Sequence, residues 1–192
     1  MMFLSLGIGS AIAVTMISVV SYFTKAPTAS TTTTSVPSSS PLVGHTIDDV
    51  HLPALGTAWN FTPGAERVVH LPAHETPTIV VFFASWCGPC REELPRISAW
   101  YAHKPSEIAL VMVASNDTAA AATKFLQRSS VPLPAALDAD GTVASTNYGF
   151  GTLPETVFID GSGVVQKVVY GGVTTKQLNA GTAQLLATLT RN

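Results

Sequence analysis

The chain has 192 residues, a formal net charge of -2 and only 11% charged side chains. That length suits one domain with an appendage, and the near-neutral balance excludes the basic surface that nucleic-acid binding requires. A hydrophobic content of 46% and a mean hydropathy of +0.33 are high for a soluble protein, and much of that apolar character sits at the front.

Residues 1–24 carry no charged side chain, and the run "MFLSLGIGSAIAVTMISVVSYF" spans roughly 30 Å as a helix, enough to cross a bilayer. It reads as a membrane anchor or a signal segment. The uncleaved anchor is favoured, because the exit "TKAPTAS" lacks small residues at both positions of a cleavage site and no positive region precedes the apolar run. Lys25 lies on the C-terminal flank, so the positive-inside rule does not itself direct the rest of the chain outward. Residues 25–41 are rich in Ser, Thr and Pro and carry one charge, Lys25. Such a segment buries too little apolar surface to offset its ordering entropy and is expected to be a flexible tether.

Residues 42–192 read as one domain in which apolar runs alternate with helical patterns, an α/β arrangement. Thr78 to Ala84, "TIVVFFA", has the continuous β-branched and aromatic character of a central strand covered on both faces. Pro89 suits a first helical turn, and Cys90, Leu94, Ile97 and Tyr101 mark one face of the helix that follows, with Pro95 expected to kink it. Glu107 to Ser115 predicts a second buried strand, and Asp117 to about Arg128 an Ala-rich helix. "ETVFID" and "VVQKVVY" predict a hairpin across the Gly161–Gly163 turn. A last helix is expected from Thr175 to about Thr190, with Leu178, Leu185 and Leu189 facing the sheet.

The two cysteines, Cys87 and Cys90, are separated only by Gly88 and Pro89. As a structural staple, so short a loop stabilises folding by only about 2 kcal/mol, against about 3 for a 15-residue loop. Structural zinc normally takes four Cys or His ligands, and there is no second CxxC. Redox exchange, in which one thiolate attacks a disulfide and its neighbour resolves the mixed disulfide, is the favoured use. At a helix N-terminus the unpaired N–H groups and the helix dipole stabilise a thiolate, which makes Cys87 the nucleophile and Cys90 the resolving thiol. Gly88 and Pro89 keep the turn compact and are expected to leave the first sulfur exposed. Trp86 adds a broad apolar surface that serves either packing or substrate contact. His70 and His74 are four residues apart but flank Pro72, so a shared helical face for a metal is disfavoured, and no metal site is assigned.

"WCGPC" at the end of an apolar strand resembles the thioredoxin superfamily. "GTLPETVFID" agrees, since Pro154 matches the cis-proline that faces the CxxC in that family and helps to align substrate backbone, with Leu153 as the residue before it. Read without the resemblance, Pro154 is an ordinary strand-start proline. The resemblance implies a thioredoxin-like fold, a central mixed β-sheet flanked by helices. The anchor and tether, "CREELP" after the motif and "YGFGTLPETVFIDGSGVV" near the end are most similar to the TlpA, ResA and DsbE (CcmG) branch of tethered extracytoplasmic oxidoreductases. That branch carries a glutamate three residues after the second cysteine, which coincides with Glu93, on the same helical face as Cys90 and placed to tune or relay thiol protons. Its alternatives are a solvated carboxylate or an ion pair with Arg96, and Glu92 is expected to face solvent. Val81 stands where cytosolic thioredoxins carry a buried Asp, and Ala84 where a peroxiredoxin carries Thr.

The resemblance implies a membrane-anchored thiol:disulfide oxidoreductase facing the extracytoplasmic side, with Trp86, Gly88, Pro89, Leu153 and Pro154 contacting substrate. Its partners would be disulfide-containing or dithiol proteins, an apocytochrome c among them, and a membrane thiol electron donor. No bound cofactor is expected, because the cysteine pair itself carries the electrons. CGPC resembles the reducing members. A disulfide-forming oxidase for exported proteins and a non-catalytic docking or haem-handling module stand as alternatives.

Overall fold

A computed structural model describes residues 40–56, 67–73, 75–130, 132–149 and 151–190. The apolar segment 1–24, the tether as far as residue 39, and His74 lie outside the described residues. Among the described residues, no helix is long and apolar enough to cross a membrane.

Seven strands among the described residues form one mixed sheet: β1 (Val50–Leu55), β2 (Val68–Leu71), β3 (Thr78–Phe83), β4 (Ala109–Ser115), β5 (Ala135–Asp138), β6 (Glu155–Ile159) and β7 (Val165–Tyr170). Their spatial order is β2-β1-β5-β4-β3-β6-β7. The β3–β4 and β4–β5 pairs are parallel, whereas β1–β2, β1–β5, β3–β6 and β6–β7 are antiparallel. Among the described residues there are four helices: α1 (Gly88–Tyr101), α2 (Ala119–Leu126) and α3 (Thr142–Asn147) between strands, and α4 (Thr175–Leu189) after β7.

Every residue of β3 is buried, because the strand is central and covered on both faces. Its side chains alternate: Ile79, Val81 and Phe83 enter a core with Leu94, Ile97, Phe125, Leu178 and Leu185, while Val80 and Phe82 enter a second core with Leu71, Val113 and Tyr148. The chain leaves this strand at Ala84 to enter the CxxC turn. The expected β6–β7 hairpin forms, with Gly163 at φ +85° in its turn.

Three expectations are corrected. Leu189 is 41% exposed while Leu178 and Leu185 are fully buried, because the last turn of α4 runs past the edge of its core. Tyr101 is only half-buried, and Trp100 takes its place on the inner face of α1 with its indole N–H donating to the Asn179 side chain at 3.0 Å. The predicted second helix is shorter than the Asp117–Arg128 segment, since Thr118 caps α2 by accepting from Ala121 N–H and the chain turns at Gln127.

Candidate active site

Cys87 sits between β3 and α1 with extended backbone, φ -75° and ψ 115°, and serves as the N-cap of α1. Its sulfur accepts from the Cys90 N–H at 3.2 Å, one of the first-turn donors that a helix leaves without an internal partner. Pro89 occupies the first helical turn, where a missing N–H costs nothing. The helix places Cys90 one turn on, and the two sulfurs form a disulfide with Cα atoms 5.3 Å apart. The site is therefore described in its oxidised form. Cys87 is 5% exposed and Cys90 1%, so the order of accessibility is as expected, but the first sulfur is far less open than Gly88 and Pro89 suggested. The bond to Cys90 draws it towards the helix and into the core cluster that holds both cysteines.

The turn before Cys87 is tied to the β4–α2 connection. The Ser85 N–H and hydroxyl both donate to the Asp117 carboxylate, the hydroxyl at 3.0 Å, and the Trp86 indole N–H donates to the Asn116 carbonyl at 3.0 Å. Asn116 adopts φ +51°, a left-handed conformation that Asn tolerates better than most residues. Trp86 is 61% exposed, so its ring is not part of the core. An open groove lined by Trp86, Cys87, Gly88, Pro89, Thr152 and Leu153 runs over the disulfide.

The Leu153–Pro154 peptide bond is cis, as the resemblance implied. Leu153 is half-buried and lines the groove; Pro154 is buried, outside the groove lining, and its carbonyl accepts from the Gly171 N–H at 2.8 Å. A second cis bond, Leu71–Pro72, was not foreseen in the sequence.

Glu93 is 2% exposed, and neither solvation nor an ion pair accounts for it. Its Oε2 accepts from the Val173 N–H at 2.8 Å, Arg96 donates instead to the Val173 carbonyl at 2.9 Å, and Oε1 is buried without a partner. Desolvation pushes the carboxyl up to about 7, against smaller opposing contributions from the Val173 N–H and the Arg96 charge. Glu92 is exposed, as expected.

Sequence reasoning passed over Glu155, the residue after Pro154. It is fully buried at the start of β6, opposite Phe82 and Tyr170, and burial pushes its carboxyl up to about 7, offset in part by the Gly151 N–H. Its signal was a carboxylate inside an otherwise apolar strand run, where a charge is costly unless it is neutralised.

The AhpC/TSA family matches residues 43–168. The chain belongs to the AhpC/TSA family. Among its relatives, the Sporulation thiol-disulfide oxidoreductase A of Bacillus subtilis is 28% identical over 120 residues, which cover 60% of this chain and 72% of that protein. The Thiol-disulfide oxidoreductase ResA of Oceanobacillus iheyensis is 31% identical over 98 residues, half of each chain. The structure of MTB dsbF in its mixed oxidized and reduced forms superposes with a TM-score of 0.59 at 25% identity, covering 71% of this chain and 94% of that one. These relatives and neighbours establish a thioredoxin-like fold for this AhpC/TSA family member. The match leaves residues 1–42 and 169–192 outside it.

Proposed function

We propose that the protein is a thiol:disulfide oxidoreductase that reduces disulfides in partner proteins, with Cys87 as the nucleophile. The observation that carries this reading is the Cys87–Cys90 disulfide at the start of α1, beneath a groove shaped by Trp86 and Leu153. In the reduced protein the Cys87 thiolate, stabilised by the N-terminal end of α1, attacks one sulfur of a partner disulfide and releases the other as a thiolate. Cys90 then loses its proton and attacks the Cys87 sulfur. The partner leaves as a dithiol, two electrons have passed to it, and Cys87–Cys90 is oxidised. A dithiol donor must return two electrons and two protons to complete the cycle.

Glu93 is the proposed proton acceptor for Cys90. The two lie three residues apart on one face of α1, so their Cβ atoms are about 5–6 Å apart, and a carboxyl shifted to about 7 exchanges protons readily near neutral pH. Leu153, which precedes the buried Pro154, lines the groove by which a partner's extended backbone would reach the sulfurs. Residues 1–24 would anchor the protein, and residues 25–41 would tether the domain 42–192 on the extracytoplasmic side. An apocytochrome c with a CxxCH site fits the proposed substrate class, with a membrane thiol protein as electron donor and no bound cofactor.

Direction is tested by the reduction potential of the full chain, equilibrated against dithiothreitol or glutathione buffers. The reductase reading predicts a value near about -270 mV; one near about -120 mV would make the protein a disulfide donor instead. An insulin-disulfide reduction assay separates both enzymes from a docking module, which would show no turnover.

A further inference from the structure

Away from the cysteines, on the edge hairpin of the sheet, three side chains converge. His51 of β1 and His70 of β2 are directly opposed in the antiparallel register, so both project from the same face. Their ring centroids are 4.1 Å apart with the planes inclined by 57°. Asp49, two residues before His51, reaches both: its Oδ2 lies 3.2 Å from His51 Nε2 and 3.7 Å from His70 Nδ1. The ligand atoms that the three residues offer all lie within 4.8 Å of one another, and all three residues are solvent-accessible.

We propose that Asp49, His51 and His70 bind one divalent transition-metal cation of the zinc or copper class on the exposed face of the β1–β2 hairpin. Two imidazoles and one carboxylate form a donor set that suits these ions and not calcium or magnesium, which prefer all-oxygen shells. The spacing agrees. Bonds of about 2.0–2.2 Å in a tetrahedral zinc site set ligand atoms roughly 3.3–3.6 Å apart, close to the two separations from Asp49 Oδ2. Three protein ligands leave a fourth position for water. The backbone holds two ligands across paired strands and the third on the residue just before β1, so little chain has to be ordered to complete the shell. The sequence pattern concealed this, because it joins His70 to His51, 19 positions away, and not to His74.

The test is isothermal titration of zinc sulfate into the full chain, free of any affinity tag and with Cys87–Cys90 oxidised so that no thiolate competes. One zinc per chain is expected. Losing an outer-shell partner of a metal ligand typically weakens binding by about 10–100-fold, so His51→Asn and His70→Asn should each weaken it by at least about tenfold. Asp49→Asn should weaken it too, while His45→Asn and His103→Asn should leave it unchanged. Copper(II) bound to the unaltered chain provides a readout independent of any variant: its electron paramagnetic resonance spectrum should show coupling to two imidazole nitrogens. Failure to take up zinc, full-strength binding by the His51 and His70 variants, or a copper spectrum without nitrogen coupling would overturn the proposal.

Discussion

Two buried carboxyls, Glu93 and Glu155, are shifted upward by desolvation and so link stability to pH on the acid side of neutrality. Both are raised from 4.5 to about 7 in the fold, so between those values the folded chain binds more protons than the unfolded one. Stability is therefore greatest below about 4.5 on their account and falls as pH rises through about 7, by at most about 3 kcal/mol per group. Asp140 and Asp160 shift downward, so their stabilising effect is lost only below the ordinary value of 3.8, outside that window. Urea unfolding of the oxidised chain at about pH 5 and about pH 8 should show the loss, and Glu93→Gln or Glu155→Gln should each reduce it. An unchanged pH slope in both variants would contradict the assignment. The position of Glu93 was legible through the resemblance, which implies a glutamate three residues after the second cysteine, on the helical face of Cys90. Its burial was not, because that depends on the Val173 segment, 80 residues away in sequence.

The legible elements were the strands β3, β4, β6 and β7, with their β-branched and aromatic runs, and the helices α1, α2 and α4, with helical apolar spacing or an Ala-rich stretch. The strands β1, β2 and β5 were not, since "VHLPAL" and "VVHL" are interrupted by His, the first also by Pro, and "AALD" lacks β-branched and aromatic residues. Their pairing is set by partners distant in the chain. The short α3 opens after Gly141 at φ +74° and relies on Asp138, whose carboxylate accepts from the Val143 and Ala144 N–H groups. Close packing of α4 on β6 yields a prediction of opposite sign to helix propensity. A Cβ on Gly181 would come within 2.2 Å of the Phe158 ring, which is itself fully buried. Gly181→Ala should therefore destabilise the protein by about 1–3 kcal/mol, although the same change in an open helix stabilises by about 1 kcal/mol. Denaturant unfolding of the variant measures it, and increased stability would show that α4 does not sit this tightly on the sheet.

In the molecule as a whole, the fold brings together four stretches separated in sequence: the Ser85–Cys90 turn, the Asn116–Asp117 corner, the Leu153–Glu155 step and the Val173 segment behind Glu93. The cysteine pair could be picked out by its own local spacing, and Pro154 through the resemblance to the thioredoxin superfamily. The Asp117 tie to Ser85 and the His51–His70 pair could not, because only the sheet order makes them neighbours. The central claim is that Cys87 is the attacking sulfur and Cys90 the resolving one. It is tested most directly by incubating the full-length Cys90→Ser and Cys87→Ser variants with a disulfide-bonded protein and mapping any adduct by mass spectrometry. A mixed disulfide through Cys87 that accumulates in Cys90→Ser, with little adduct and no turnover in Cys87→Ser, is the predicted result. Adduct forming chiefly through Cys90, or full turnover by Cys87→Ser, would contradict the account.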